Sequence, residues 1–198
     1  MSGLHEALAS VISKVGPRSA ERKRVKTEYD QAQRDFVRAY KALQPTFDSI
    51  QPERPKLLTD ISPKLVESDD RDPSLPQIET VVRGRIVATR TPADTIRIAT
   101  QTEQTEHYTD PKLDTSSFIC KKEIYGADVK TLNSFSLFYG SNSVEFDEGE
   151  LDQTGLDVPV STTPVIDTHH KATILQALAS DLQFVINNTE HPINEDYL

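Results

Sequence analysis

The 198-residue sequence contains no tryptophan, one cysteine, one methionine and only 7 glycines. A single cysteine excludes an intrachain disulfide and a zinc site built from cysteine pairs. The glycines never form a phosphate-binding loop, and the motifs of serine hydrolases and histidine-based zinc enzymes do not occur. Cys120, between Ile119 and Lys121, is interpreted as a small core residue. The sequence therefore predicts a protein that is not an enzyme and needs no cofactor.

Long hydrophobic runs are missing as well. No stretch approaches the roughly 20 apolar residues that a membrane-spanning helix needs. The first residues, Met1 to Glu6, lack the basic region and apolar stretch of a secretory signal. We therefore expect an intracellular protein, or one that is part of a virus particle, with no membrane partner.

Charge is unevenly distributed along the chain, although the net charge is -9. Residues 1–44 contain 9 Lys/Arg and 5 Asp/Glu, giving +4, whereas residues 78–198 contain 9 and 19, giving -10. We therefore expect the basic end of one subunit to attract the acidic end of its neighbour. The simpler alternative is that the charges serve only to keep the protein in solution.

The basic excess is concentrated where a second helix is predicted to begin, a position where the helix dipole disfavours cations. Three interpretations remain open: a solvated helix face, docking on an acidic protein surface, and phosphate contact, which the absence of interleaved aromatic residues disfavours. The docking candidates are Arg18, Arg22, Lys23, Arg24 and Lys26.

An acidic stretch at residues 145–157 is the predicted receiving surface. It lacks the ligand order of a calcium loop, so we interpret it as a solvated loop and expect no metal site there. Its candidate docking residues are Glu145, Asp147, Glu148, Glu150 and Asp152.

Two helical patterns occupy residues 1–44, which we call the helical arm. The first, from Leu4 to Val15, is expected to stop at Gly16-Pro17. The second has apolar residues at coiled-coil spacing and needs a partner, which is the first helix, a second copy or another protein. Its interface candidates are Val25, Tyr29, Ala32, Phe36, Ala39 and Leu43.

Residues 45–77 contain half of the 12 prolines. Because proline removes backbone donors, we expect neither helix nor central strand there, and interpret the segment as an extended linker or a strap docked on a surface.

From residue 78 the apolar period becomes two. It predicts a hairpin with a loop at residues 90–94, and places Arg83, Arg85 and Arg97 on its outward face. These arginines bind carboxylates or phosphates, or are neutralised by Glu79, Glu103 and Glu106. Residues 99–117 are interpreted as a surface excursion, that is, a long irregular segment on the surface. Further strands are expected at 118–125, 129–139 and 144–146.

A terminal helix is predicted at residues 171–187, with Asp167 or Thr168 as its N-cap. Its apolar residues cover more than half of the circumference, so it should be covered from more than one direction. Asp181 falls inside that apolar arc and therefore needs a polar partner from another element. Adjacent histidines usually point apart, so Asp167, His169 and His170 cannot all be expected to bind one ion. The spacing supplies no further ligand, and a metal site is not expected.

These patterns predict an α+β protein. It has an N-terminal helical hairpin or coiled-coil arm (1–44), a proline-rich strap (45–77), and a small antiparallel β domain closed by a C-terminal helix (78–198). The predicted function is that of a structural or assembly subunit of a large complex, most concretely a bacteriophage neck, tail or baseplate protein. Its partners are other protein subunits, including copies of itself. The alternatives are an intracellular coiled-coil adaptor with a peptide-binding head and, less favoured, a small metal-dependent enzyme.

Overall fold

A computed structural model describes residues 3–52, 54–68, 77–110, 115–147 and 160–190. All six strands form one antiparallel sheet, in the order in which they occur along the chain. The predicted α+β class is confirmed. The elements are α1 (Gly3–Ala42), α2 (Gln44–Asp48), β1 (Lys56–Ser68), β2 (Gln77–Arg90), β3 (Ile96–Asp110), β4 (Thr115–Thr131), β5 (Ser134–Asp147), β6 (Thr163–Pro164) and α3 (Thr168–Glu190).

The hydrophobic core lies between the two long helices and one face of the sheet. Side chains alternate between the two faces of a strand, so every second residue of β2 to β5 points to the helices. Ile86 on β2 and Ile98 on β3 are fully buried there, and Leu178 on α3 packs in the same cluster. The apolar period of two identified these core positions correctly.

α1 is one continuous helix through Gly16-Pro17, so the predicted helical hairpin is wrong. Proline itself adopts a helical φ, and its cost is one lost hydrogen bond and a clash with the carbonyl four residues earlier. A local penalty of about 3 kcal/mol does not end a helix whose other residues favour it.

The apolar stripe of the second helical pattern finds its partner inside the same chain. Ala32, Phe36, Ala39 and Leu43 are buried in the core, and the Phe36 ring lies 5.4 Å from that of Phe135 on β5. They pack against the sheet and α3 of the same chain. The spacing indicated a buried stripe but not the element that buries it.

The proline-rich segment contains regular structure that its composition did not predict. Proline at the start of α2 is compatible with a helix, because the first helical donors have no partner within the helix. β1 is an edge strand whose pairing with β2 is interrupted by register shifts between Ile61 and Lys64. Pro63 falls in that interval, and prolines are tolerated at strand edges and bulges.

The expected excursion at residues 99–117 is also wrong, because β3 continues to Asp110 and pairs along its whole length with β2 and β4. Threonine is common in strands even where the pattern is polar. The β2–β3 loop is Thr91–Thr95, one residue later than predicted, and Arg85 pairs with Gln101 across it. A turn at Leu132–Asn133 divides the strand that was expected at 129–139.

α3 extends the predicted terminal helix by one turn or less at each end. Its buried residues, among them Leu175, Leu182 and Val185, share the core with α1 and the sheet, so the expected two-sided cover is confirmed. Asp181 accepts hydrogen bonds from Thr100 Oγ1 at 2.7 Å and from the Tyr125 hydroxyl at 2.8 Å. The predicted partner from another element is therefore confirmed.

Among the described residues, neither long helix carries an apolar stretch sufficient to cross a bilayer.

Candidate interaction surface

A groove of about 670 Å³ separates α1 from the start of α3. We call it the arm groove. Two charged positions on α1, Arg22 and Lys26, flank it, and Val25 lies half-buried between them. The opposite wall is the beginning of α3. The residues that line the arm groove are Glu21, Arg22, Val25, Lys26, Asp167, Thr168 and His169.

Four of the five basic docking candidates have described side chains, and two of them, Arg22 and Lys26, line this groove. Arg22, Lys23, Arg24 and Lys26 are all exposed. Arg24 makes a 3.6 Å ion pair with Glu28, and both side chains are well exposed, so this contact adds little stability. The side chain of Arg18 lies outside the described part of the chain. The basic cluster, residues 22–26, therefore faces solvent, and its members Arg22 and Lys26 border the arm groove.

Asp167 and His170 interact with each other at the start of α3. Asp167 Oδ2 accepts the backbone N–H of His170 at 3.0 Å, which is an N-cap. That hydrogen bond, with the nearby His170 ring, lowers the pKa of the Asp167 carboxyl. In the described ranges, no three acidic, histidine or cysteine side chains are arranged to hold a metal ion.

α3 begins beside residues 21–26 of α1, and later residues of both helices share the core. The two helices therefore run in the same direction. Residues 3–20 of α1 precede the level at which α3 starts and extend for about 27 Å. The helix thus reaches beyond the helical layer that covers the sheet.

Of the acidic docking candidates, Glu145 has a described side chain. Glu145 is exposed at the end of β5. The side chain of Asp147 and all of Glu148, Glu150 and Asp152 lie outside the described residues. The remaining interface candidate, Tyr29, is half-buried like Val25 and packs at the margin of the core.

The sheet face opposite the helices carries Arg85 and Arg97, as the alternation predicted, but the ion-pair partner of Arg97 is not one of the predicted glutamates. Arg97 pairs with Asp128 on β4, with 3.1 Å between Nε and Oδ1. The glutamates bind lysines: Glu103 lies 3.3 Å from Lys122, and Glu106 lies 2.6 Å from Lys121. Sequence reasoning missed these pairs because it did not recognise that β4 lies next to β3.

The Glu103–Lys122 pair is buried, as is the neighbouring Cys120. Glu103 Oε2 has no hydrogen bond, although the lysine ammonium lies beside it. Burial raises the pKa of the Cys120 thiol, and the Glu103 charge raises it further. A buried, protonated thiol is a poor nucleophile. Cys120 is thus the small buried residue that was expected, but it lies on the sheet face of Lys122 and not in the core under the helices.

Comparison of the chain with family models, with curated proteins and with solved structures found no match.

Proposed function

We propose that the protein is a non-catalytic assembly subunit of a large protein complex, and that the leading part of α1 and the basic cluster beside it dock on a second copy of the chain. A bacteriophage neck, tail or baseplate is the complex that we favour. The observation that carries the proposal is the projection of residues 3–20 of α1 ahead of α3.

The sequence of this projecting stretch supports a docking role. Leu4, Leu8, Val11, Ile12 and Val15 recur at helical spacing, and an isolated helix of this length is marginal in water. A subunit that binds this stripe stabilises the helix at the same time. Docking is therefore expected to contribute to the stability of the leading part of α1.

Charge complementarity favours a second copy as the partner. The helical arm carries +4, and residues 78–198 carry -10. The exposed Arg22, Lys23 and Arg24 present the basic charge at the base of the projecting helix. Contact between two different surfaces of identical subunits generates rings or open tubes, whereas a self-complementary contact closes as a dimer.

The test is sedimentation of the purified full chain at several salt concentrations. The triple variant Arg22→Glu, Lys23→Glu, Arg24→Glu should sediment as a smaller species than the wild type. Raising the salt to about 1 M, where screening acts within about 3 Å, should weaken wild-type assembly. The matched control reverses Arg34, Arg38 and Lys41, three exposed cations further along α1, and should assemble normally.

The partner surface is tested by rescue. Adding Glu148→Lys and Glu150→Lys to the first triple variant should restore part of the assembly. Equal assembly of the two triple variants would contradict docking through the basic cluster. A wild-type chain that remains monomeric at low salt and high concentration would overturn the proposed self-assembly.

A further inference from the structure

The sheet face that points away from the helices contains a cavity of about 630 Å³, which we call the sheet cavity. Its floor is formed by residues of β2 to β5 on the face opposite the core, among them Val87, Ala99, Ile124 and Phe138. Sites for small molecules typically enclose about 300–1,000 Å³ and are mostly apolar. The sheet cavity therefore has the size and the lining of a ligand site.

Apolar side chains line both the floor and the rim of the sheet cavity. The Phe138 ring lies against the β4 backbone, where a Cβ on Gly126 would collide with it. At the rim, Leu57 of β1 is 54% exposed, although large aliphatic side chains are normally buried. A bound apolar group would remove Leu57 and the cavity floor from water.

Two arginines, Arg85 and Arg97, also line the sheet cavity. The described lining residues include no aspartate or glutamate, in a chain with 31 acidic and 22 basic residues. The lining itself thus presents guanidinium groups and no carboxylate, while Asp128, outside the lining, offsets part of the Arg97 charge. Such a site attracts an anion, and its low-dielectric walls strengthen the attraction.

Neighbouring groups hold both guanidinium groups in position. Arg97 lies 4.5 Å from the centre of the Phe138 ring, and Asp128 contacts its Nε and Nη2. Among the described residues, the donors on Nη1 of Arg97 have no acceptor. Arg85 Nε donates to Gln101 Oε1 at 2.6 Å. Fixed arginines lose little side-chain freedom when they bind an oxyanion.

We propose that the sheet cavity binds an anionic amphiphile. The ligand is a small molecule whose apolar chain or ring packs on Val87, Ala99 and Phe138, and whose carboxylate or phosphate group is bound by Arg97 with the support of Arg85. This binding site does not depend on the proposed assembly role, because its residues lie on the opposite side of the sheet from α1 and α3.

Calorimetric titration of the full chain with decanoate, decyl phosphate and decanol tests the chemistry, with the two anions below their micellar concentrations and decanol below its solubility limit. Both anions have the same chain as decanol, so the comparison isolates the head group. We expect saturable one-to-one binding of at least one anion, about tenfold or more tighter than decanol. The tighter of the two anions identifies the head group as carboxylate or phosphate. Equal binding of decanol, or no saturable binding of any of the three, would overturn the proposal.

Variants test the location. Arg97→Gln should weaken anion binding about tenfold or more, whereas Arg83→Gln, at an exposed arginine of β2 outside the cavity lining, should leave it unchanged. Amide chemical shifts in the wild-type protein should move at Ala99 and Ile124, and not along α3. Wild-type affinity in Arg97→Gln, or shifts confined to the helices, would overturn the assignment whatever the stability of the variant.

Discussion

At the scale of single residues, the polar contacts inside the core are the most informative. Asp181 is a carboxylate on an apolar helix, and its oxygen Oδ2 accepts from both Thr100, which is 2% exposed, and Tyr125. A buried polar group costs free energy unless it is hydrogen-bonded, and this requirement is local enough to be anticipated from the helical pattern. The two donors come from β3 and β4, which only the tertiary structure brings together.

Replacement of Asp181 by alanine should therefore be costly. Asp181→Ala leaves two hydroxyl groups without their acceptor, and we expect the free energy of unfolding to fall by about 2–4 kcal/mol. Urea denaturation measures the change. The control Asp35→Ala, which removes a surface carboxylate of α1 paired with Arg38 at 3.5 Å, should cost about 1 kcal/mol or less. Equal effects of the two variants would contradict the structural role of Asp181.

Tyr125 should make stability depend on pH in the alkaline range. Burial raises the pKa of its phenol, and the negative charge of Asp181 and the hydrogen bond to it raise it further. An unfolded tyrosine titrates near pH 10, so the contribution of Tyr125 is complete below about pH 10 and is lost as the pH rises above that value. Tyr125→Phe should therefore lose stability less steeply between about pH 10 and 11.5 than the wild type.

Urea denaturation at a series of pH values measures this slope. Tyr139→Phe, at an exposed tyrosine of β5, serves as the control for a general alkaline effect. If Tyr125→Phe and the wild type have parallel curves above pH 10, the proton on Tyr125 does not contribute to the stability of the core.

At the scale of secondary-structure elements, α1 differs most from expectation. Gly16 and Pro17 are the residue types that usually end a helix, yet the helix runs from Gly3 to Ala42 and is about 60 Å long. Propensity is a weak guide when it concerns one or two residues in a long element. The penalty remains in the folded protein as a local weakness of the helix.

Pro17→Ala should therefore strengthen the leading part of α1. It restores a backbone donor and removes the clash with the preceding turn, which together are worth about 3 kcal/mol in a helix interior. Hydrogen exchange should slow by up to about 100-fold at amides before residue 20, where local opening controls exchange. Ser19→Ala should change these rates little. Unchanged rates in Pro17→Ala would contradict a helix that continues through this position.

At the scale of the whole molecule, residues from the helical arm, the proline-rich segment and the β-rich part share one core. Phe36 of α1, Phe47 of α2 and Ile98 of β3 are all fully buried in the same cluster. Arg90 of β2 adds hydrogen bonds to the carbonyl oxygens of Phe47 and Ile50. The described parts are therefore expected to unfold together.

Phe36→Ala should lower the free energy of unfolding by about 3–5 kcal/mol, because it leaves a cavity between α1 and β5. The loss should appear equally in far-ultraviolet circular dichroism and in tyrosine fluorescence if the helices and the sheet unfold as one unit. Phe184→Ala removes the same side chain at a 45% exposed position of α3 and should cost about 1 kcal/mol or less. Separate transitions for the two probes would contradict a shared core.

Several properties follow from the order of residues alone, because they depend on neighbours a few positions apart. The period of two in β2, the apolar arc of α3, the N-cap at Asp167 or Thr168 and the charge difference between the ends were all readable from the sequence. Tertiary structure decided what each buried face contacts. The apolar stripe of α1 that ends at Leu43 packs against the sheet and α3. The polar strand β3 lies between β2 and β4, and Arg97 forms an ion pair with Asp128 and stacks on Phe138. Periodicity reports that a face is buried but not by which element, since that choice depends on packing between residues far apart in the chain.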